Sequence, residues 1–212
     1  MTPSRHSEQT SIKFQLLGVA QLIEMQELSV PPFQRSYCWK PDEEVSAYWD
    51  DLSRAFRADD EYFLGTVVLT GESEDGRKVV IDGQQRLVTT SLLLAAIRNH
   101  LKERSSSKYK VVEDRFLITE TLTSEGKDAR LELNPDDNMQ FREVTIGESS
   151  PGDAQFKDAP AIQKAFDFLN SKVGHVAEAA GSGAVDTLVN WSLSLRNRAK
   201  VAVIEVPTEA DA

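Results

Sequence analysis

An α+β fold is predicted by three stretches of this sequence. "EYFLGTVVLT" and "KVVID" are β-rich runs separated by the polar turn "GESEDGR", a hairpin pattern. A long helical pattern follows directly, with Leu87, Leu94 and Leu101 seven apart and Leu93 and Ile97 filling the same face. Near the end, "KVAVIEV" is apolar on both faces, which predicts an interior strand covered on both sides of a sheet.

The remaining elements fall between these anchors. Residues 1–11 are polar and unpatterned, a disordered lead-in. "LLGVAQLIEMQ" sets Leu16, Leu17, Ala20 and Ile23 at helical spacing, and the prolines of "LSVPPF" then force an extended chain. After Pro41, Asp42 is a candidate N-cap, followed by Val45, Trp49, Leu52 and Phe56 at steps of four, three and four: a helix. The hairpin comes next, then the long helix from Gln84 or Gln85 to about Glu103. Between 104 and 160, "FLITE" and "LEL" read as strands, "NPDDNMQFREV" as a capped helix, and "GESSPGDAQ" as a loop. Ile162, Phe166, Leu169, Val173 and Val176 mark another amphipathic helix, broken by Gly181 and Gly183, and a last helix spans 184–196.

Composition limits the functions this chain can serve. A length of 212 residues with 40% hydrophobic content buries one substantial core, or one core with a smaller helical appendage. There is no run of 18 apolar residues and no signal-peptide core, so the cytoplasm is the expected compartment. The single cysteine, Cys38, excludes an internal disulfide and a multi-thiolate metal site, in keeping with a reducing environment. A net charge of −10 repels polyanions unless cations are concentrated locally, which disfavours nonspecific nucleic-acid binding. His6, His100 and His175 lie in no metal-ligand or nucleophile motif, so neither histidine-based hydrolysis nor HNH-type cleavage finds support.

"VVIDGQQRLVTT", residues 79–90, carries the sharpest chemistry. A strand ending at Asp82, a Gly83 free to take unusual backbone angles and a helix starting at Gln84 would aim free N–H groups outward, as anion-binding corners do. Arg86 lies in the first helical turn, where the dipole disfavours a cation, and a phosphate held in its fork would remove the conflict. The glutamines can hold a ribose, a base edge or an attacking water. The plainer reading is an Asp-Gly turn with solvated glutamines and Arg86 paired to a carboxylate such as Glu43 or Glu44.

Three further stretches invite comparison. "GESEDGRK" has the glycine spacing of a P-loop, but Arg77 and Lys78 stand where Lys and Ser or Thr are required, and Glu72, Glu74 and Asp75 would repel phosphates; it reads as a solvated hairpin turn. "VPPFQRSYCW" interleaves Phe33, Tyr37 and Trp39 with Gln34 and Arg35, either a base-stacking strip or an apolar strip with a buried salt bridge. Arg98, Lys102, Arg104, Lys108 and Lys110 cluster near a helix end, where cations are solvated more often than they form a DNA patch.

In order and spacing, "VPPFQRSYCW", the helix with Trp49 and Leu52, "YFLGTVVL" and "VIDGQQRLVTTSLLLAAI" resemble the N-terminal domain of GmrSD-type, modification-dependent restriction endonucleases. That DGQQR-motif family includes effectors of phosphorothioate-based phage defence. The resemblance covers residues 16 to about 103, and more loosely the rest. It implies a ParB/sulfiredoxin-like nucleotidase core, a small mixed sheet with packed helices at 12–110, and an α-rich remainder at 111–212 ending in a core strand. It also implies that Asp82, Gly83, Gln84, Gln85 and Arg86 bind and hydrolyse a nucleoside triphosphate, GTP or ATP, with Arg35 approaching the same pocket and Mg2+ as an optional companion. Asp82 would anchor the turn or a magnesium-bound water. In phosphorothioate-sensing relatives the strip near the N-terminus is implicated in recognising modified DNA, which falls here on Pro32, Phe33, Gln34, Arg35, Tyr37 and Trp39. The family continues past the last strand into a further helix and an HNH-like nuclease domain, so the sequence reads as a truncated domain without a nuclease motif. The expected role is an NTPase sensor coupling modified double-stranded DNA to that nuclease; the alternative is a noncatalytic module that binds modified DNA or a partner.

Overall fold

The computed structural model describes residues 11–120, 127–147 and 160–207. The lead-in at 1–11 therefore lies outside the described residues apart from Ser11, as does the "GESSPGDAQ" loop beyond Gly147.

The fold is α+β. Its sheet has six strands: β1 (Lys13–Gly18), β2 (Leu28–Ser29), β3 (Tyr62–Glu72), β4 (Lys78–Asp82), β7 (Leu131–Glu132) and β8 (Ala199–Val206). They run in the order β1-β8-β3-β4-β2-β7. β5 (Ile118–Glu120) and β6 (Lys127–Ala129) form a separate antiparallel pair. The sheet is mixed: β3 and β4 make the expected antiparallel hairpin, and β8 lies parallel to β3 and antiparallel to β1. β8 is thus interior, as its apolar sequence predicts. Its cover is one-sided, however: Ala199, Val201 and Val203 are buried, whereas Ala202 and Ile204 on the other face are half-exposed, and Phe14 and Leu16 beside them in β1 are exposed.

The helical spacing read through Leu16 and Leu17 is corrected. Both belong to β1, and α1 (Val19–Met25) begins only after Gly18. Pairing with β8 along the full strand overrides the local period, and Gly18 fixes the corner by close approach: a Cβ there would lie 1.7 Å from the Arg196 carbonyl oxygen. The helix after Pro41 starts with a wide π-type turn at Pro41–Val45 and continues as α2 (Ser46–Ala58). Its cap position is Lys40 rather than Asp42, because Pro41 takes the first helical place, where no N–H is needed, and Asp42 moves into the acidic first turn.

At the centre stands α3 (Gln84–Glu103), packed against α1, α5 (Pro135–Ile146), α6 (Ala161–Ala180), α7 (Ala184–Asn197) and the short α4 (Lys108–Val112). The sequence suggests one apolar face, but every residue from Leu87 to Arg98 is buried. Its two buried threonines are satisfied within the core, Thr89 Oγ1 donating to the Gln85 carbonyl and Thr90 Oγ1 to that of Arg86, whereas the buried Ser91 hydroxyl has no partner. Each fully buried leucine contributes roughly 1.5–3 kcal/mol, so this helix anchors the fold.

Two arginines read as surface residues are internal. Arg77, at the hairpin tip, is 2% exposed; it donates to the Ala129 carbonyl and to Asp128 at 2.8 Å each, tying the turn to β6. Arg98 is buried as well. It donates to Glu113 at 3.0 Å and to the carbonyls of Val144 and Thr145, so it caps the end of α5. Its basic neighbours also have local partners: Arg104 donates to the His100 carbonyl, Lys102 lies over the Tyr109 ring, and Lys110 pairs with Asp114.

Carboxylates in such pairs make stability depend on acid. Burial pushes the Glu24 carboxyl up, but bonds from Arg115 and Arg196 outweigh it and hold it below 4.5; Asp128, between Arg77 and Arg142, is likewise held down against the effect of burial. A depressed folded-state pKa gives stability that is full above the unfolded value and lost as pH falls through the folded one. Melting temperature should therefore be flat from about pH 7 to 5 and decline steadily below about pH 4, as checked by calorimetry across that range.

Candidate phosphate-binding corner

The β4–α3 corner has the geometry its sequence predicts. Gly83 caps α3 at φ 94°, ψ 3°, a left-handed conformation, and a Cβ there would lie 2.9 Å from a Val67 methyl. Its carbonyl accepts from the N–H groups of Arg86 and Leu87 at 3.1 and 3.2 Å. The N–H groups of Gln84 and Gln85 have no backbone acceptor among the described residues, so the helix start presents free donors.

Arg86 is paired with neither Glu43 nor Glu44; those carboxylates go to Lys40, one to its ammonium and one to its backbone N–H. Instead Arg86 donates to the Thr66 carbonyl at 3.1 Å and lies across Gly65. Gly65 has φ 108° at a bulge in β3, and a Cβ there would sit 3.2 Å from the guanidinium carbon. The missing side chain at 65 makes the seat for the arginine. A glycine inside a strand was the available signal for this residue, which the sequence reading left without a role.

The aromatic strip is fastened to the same corner. Gln84 Nε2 donates to the Arg35 carbonyl at 2.6 Å; Gln85 accepts from the Cys38 N–H at 3.0 Å and donates to the Ser36 carbonyl at 3.4 Å. Gln34 reciprocates with a bond to the Ile81 carbonyl at 2.8 Å. From the far side, Asp137 accepts from the Tyr37 N–H at 2.6 Å and Asn134 donates to the Gln34 carbonyl at 3.3 Å. Burial raises the Asp137 carboxyl above its ordinary range, although the Tyr37 N–H acts against this. Asn134 and Asp137 were legible in the sequence only as a helix cap.

The candidate strip residues fall into two groups. Pro32, Phe33 and Arg35 are exposed, and Trp39 is half-buried with its ring tilted against Tyr48 at 5.9 Å. Tyr37 is buried, its hydroxyl 2.9 Å from Thr89 Oγ1, and burial pushes its phenol well above the ordinary value. Its ring belongs to the core rather than to the surface. Tyr37→Phe should cost about 0.5–1.5 kcal/mol in urea unfolding, since Thr89 keeps its bond to Gln85.

A cavity of about 160 Å³ opens over the corner, lined by Gln34, Arg35, Trp39, Asp82 and Gly83 through Arg86. Asp82 is exposed at its rim. Gln84 is only 8% exposed, yet its Oε1 has no hydrogen-bond partner. An unpaired buried carbonyl costs about 1–3 kcal/mol, so this oxygen favours any donor that reaches it. Neither Arg35 nor Arg86 makes an ion pair among the described residues, and no cluster of three metal-ligating side chains occurs there. No helix among them is long and apolar enough to cross a membrane.

A family model described as the GmrSD restriction endonuclease N-terminal domain matches residues 19–212. Comparison with curated proteins gives no match. The family match takes in the corner, the strip and the last strand together, and the chain belongs to the GmrSD restriction endonuclease N-terminal domain family.

Proposed function

We propose that this restriction-endonuclease-associated module binds and hydrolyses a nucleoside triphosphate at the β4–α3 corner and couples it to recognition of modified DNA by the adjoining strip. The observation that carries this reading is the convergence of Arg35, Arg86, Gln84 and Gln85, the last two with free N–H groups, on one cavity, with no carboxylate in ion-pair contact with either arginine among the described residues. Such a set stabilises phosphate charge, including the charge that develops during phosphoryl transfer. Asp82 fits a role at a magnesium-bound water, because Mg2+ commonly takes one or two carboxylates and completes its shell with phosphates and water.

The glutamines divide their work. Gln85 has both ends of its amide engaged with the strip and acts as a positioning residue. Gln84 keeps one carbonyl oxygen free and is the candidate for orienting a water. Exposed Phe33 and half-buried Trp39 supply stacking surface beside Arg35, the chemistry expected of a reader of modified bases or backbone. A nuclease domain in the parent protein would receive the signal.

The engagement of Gln85 also supports a second reading, in which the module binds modified DNA or a partner without catalysis. Titration of the chain with labelled nucleotide, with and without modified duplex, separates the two. Saturable nucleotide binding and phosphate release support the sensor; saturable duplex binding without nucleotide binding supports the noncatalytic module.

A further inference from the structure

A second cavity, of about 240 Å³, adjoins the corner and is lined by Trp39, Glu44, Tyr48, Asp51, Tyr62 and Arg86, with Ala47 and Leu64. It shares Trp39 and Arg86 with the cavity over Gly83, so the two adjoin across these side chains and differ in chemistry. One holds arginines and free N–H groups. The other carries the carboxylates of Glu44 and Asp51 among aromatic rings, a setting that repels phosphate and suits a flat, uncharged ring bearing N–H donors.

Asp51 is held for such a role. Tyr62 donates its hydroxyl to Asp51 Oδ2 at 2.5 Å, which fixes the carboxylate on the cavity wall. Arg54 approaches the other oxygen at 3.3 Å from an exposed position, a weak surface pair. Lone pairs remain on both oxygens. The second acid, Glu44, has one oxygen on the Lys40 N–H. Tyr48 is buried against this wall with its hydroxyl 2.7 Å from Thr90, while Trp39 and Tyr62 are the half-exposed rings, of which Trp39 adjoins the phosphate corner.

We propose that this cavity is a base subsite and that Asp51 selects guanine, an inference that rests on the nucleotide reading above. Guanine presents two adjacent donors, N1–H and the 2-amino group, which a carboxylate accepts side by side. Adenine and cytosine place an amino donor next to a ring acceptor, and uracil flanks one N–H with two carbonyls. Each of these leaves a carboxylate oxygen unmatched or facing an acceptor, a mismatch that hydrogen-bonding sites reject strongly.

Calorimetric titration of the chain with GTP, ITP, ATP, CTP, UTP and inorganic tripolyphosphate tests the assignment. GTP should bind at least about tenfold more tightly than ATP, and ITP, lacking the 2-amino group, should lose part of that advantage. Asp51→Asn should remove the preference, leave tripolyphosphate affinity unchanged, and favour xanthosine triphosphate, whose C2 carbonyl accepts from the new amide. Thermal melts of this variant separate a change of base choice from loss of the Tyr62 contact. Equal GTP and ATP affinities, or an undiminished GTP preference in Asp51→Asn, overturn the base subsite; tripolyphosphate binding that is lost in Arg86→Ala then leaves the phosphate reading standing. Absence of binding by every nucleotide and by tripolyphosphate overturns both.

Discussion

Replacing Arg86 with alanine should lower nucleotide turnover at least about a hundredfold while leaving the fold intact. The guanidinium sits in the third position of α3, makes one bond to the Thr66 carbonyl and has no ion pair among the described residues, so the apo protein loses little without it. A bound phosphate would lose a bidentate clamp in a site where helix-start donors provide the remaining stabilisation. Arg86→Lys keeps the charge but not the fork and should recover only part of the activity. Steady-state phosphate release, nucleotide affinity of the chain and a circular-dichroism melt together check this. Unchanged turnover in a folded variant rules out the corner as the nucleotide site.

Arg98→Ala should be the most damaging of the substitutions considered, at about 3–5 kcal/mol in chemical denaturation. The residue is 6% exposed and its guanidinium serves four acceptors: Asn99 Oδ1, the Glu113 carboxylate and the carbonyls of Val144 and Thr145. Glu113 retains Lys127 at 2.9 Å, which limits the electrostatic part of the loss, but the end of α5 would keep two buried carbonyls without a donor. A domain of this kind is typically stable by only about 5–15 kcal/mol, so the variant should fall to a poorly folded state near physiological temperature. Glu113→Gln keeps an acceptor for Arg98 and should cost less. A loss under about 1 kcal/mol for Arg98→Ala would mean that α5 docks without the arginine.

Elements with strong local signals were legible in the chain itself. The β3–β4 hairpin, α3, α6, α7 and β8 occur where period and turn residues place them, because each is long enough for its pattern to outweigh chance. Leu16 and Leu17 were misread because strand pairing to β8, nearly the whole chain away, decides their conformation. Arg77 and Arg98 were read as solvated because charge in a turn or at a helix end says nothing of the acceptors that tertiary packing brings to it. At the corner, Gly83 and the free helix start could be inferred from "DGQQR" alone. The engagement of the two glutamines could not, since their partners at 35, 36 and 38 lie about fifty residues upstream. Likewise Asp51 became a candidate only when α2 and β3 set it beside Tyr62.

The bonds that fasten the strip to the start of α3 have a thermodynamic consequence. If a ligand on Phe33 or Arg35 shifts the strip, it must strain the amides of Gln84 and Gln85, whose backbone forms the first turn of the phosphate corner. Linkage makes such coupling reciprocal: whatever factor a modified duplex imposes on nucleotide affinity, nucleotide must impose on affinity for the duplex. Substituting Gln85 should therefore shrink both factors together, turning one coupled receptor into two independent ones.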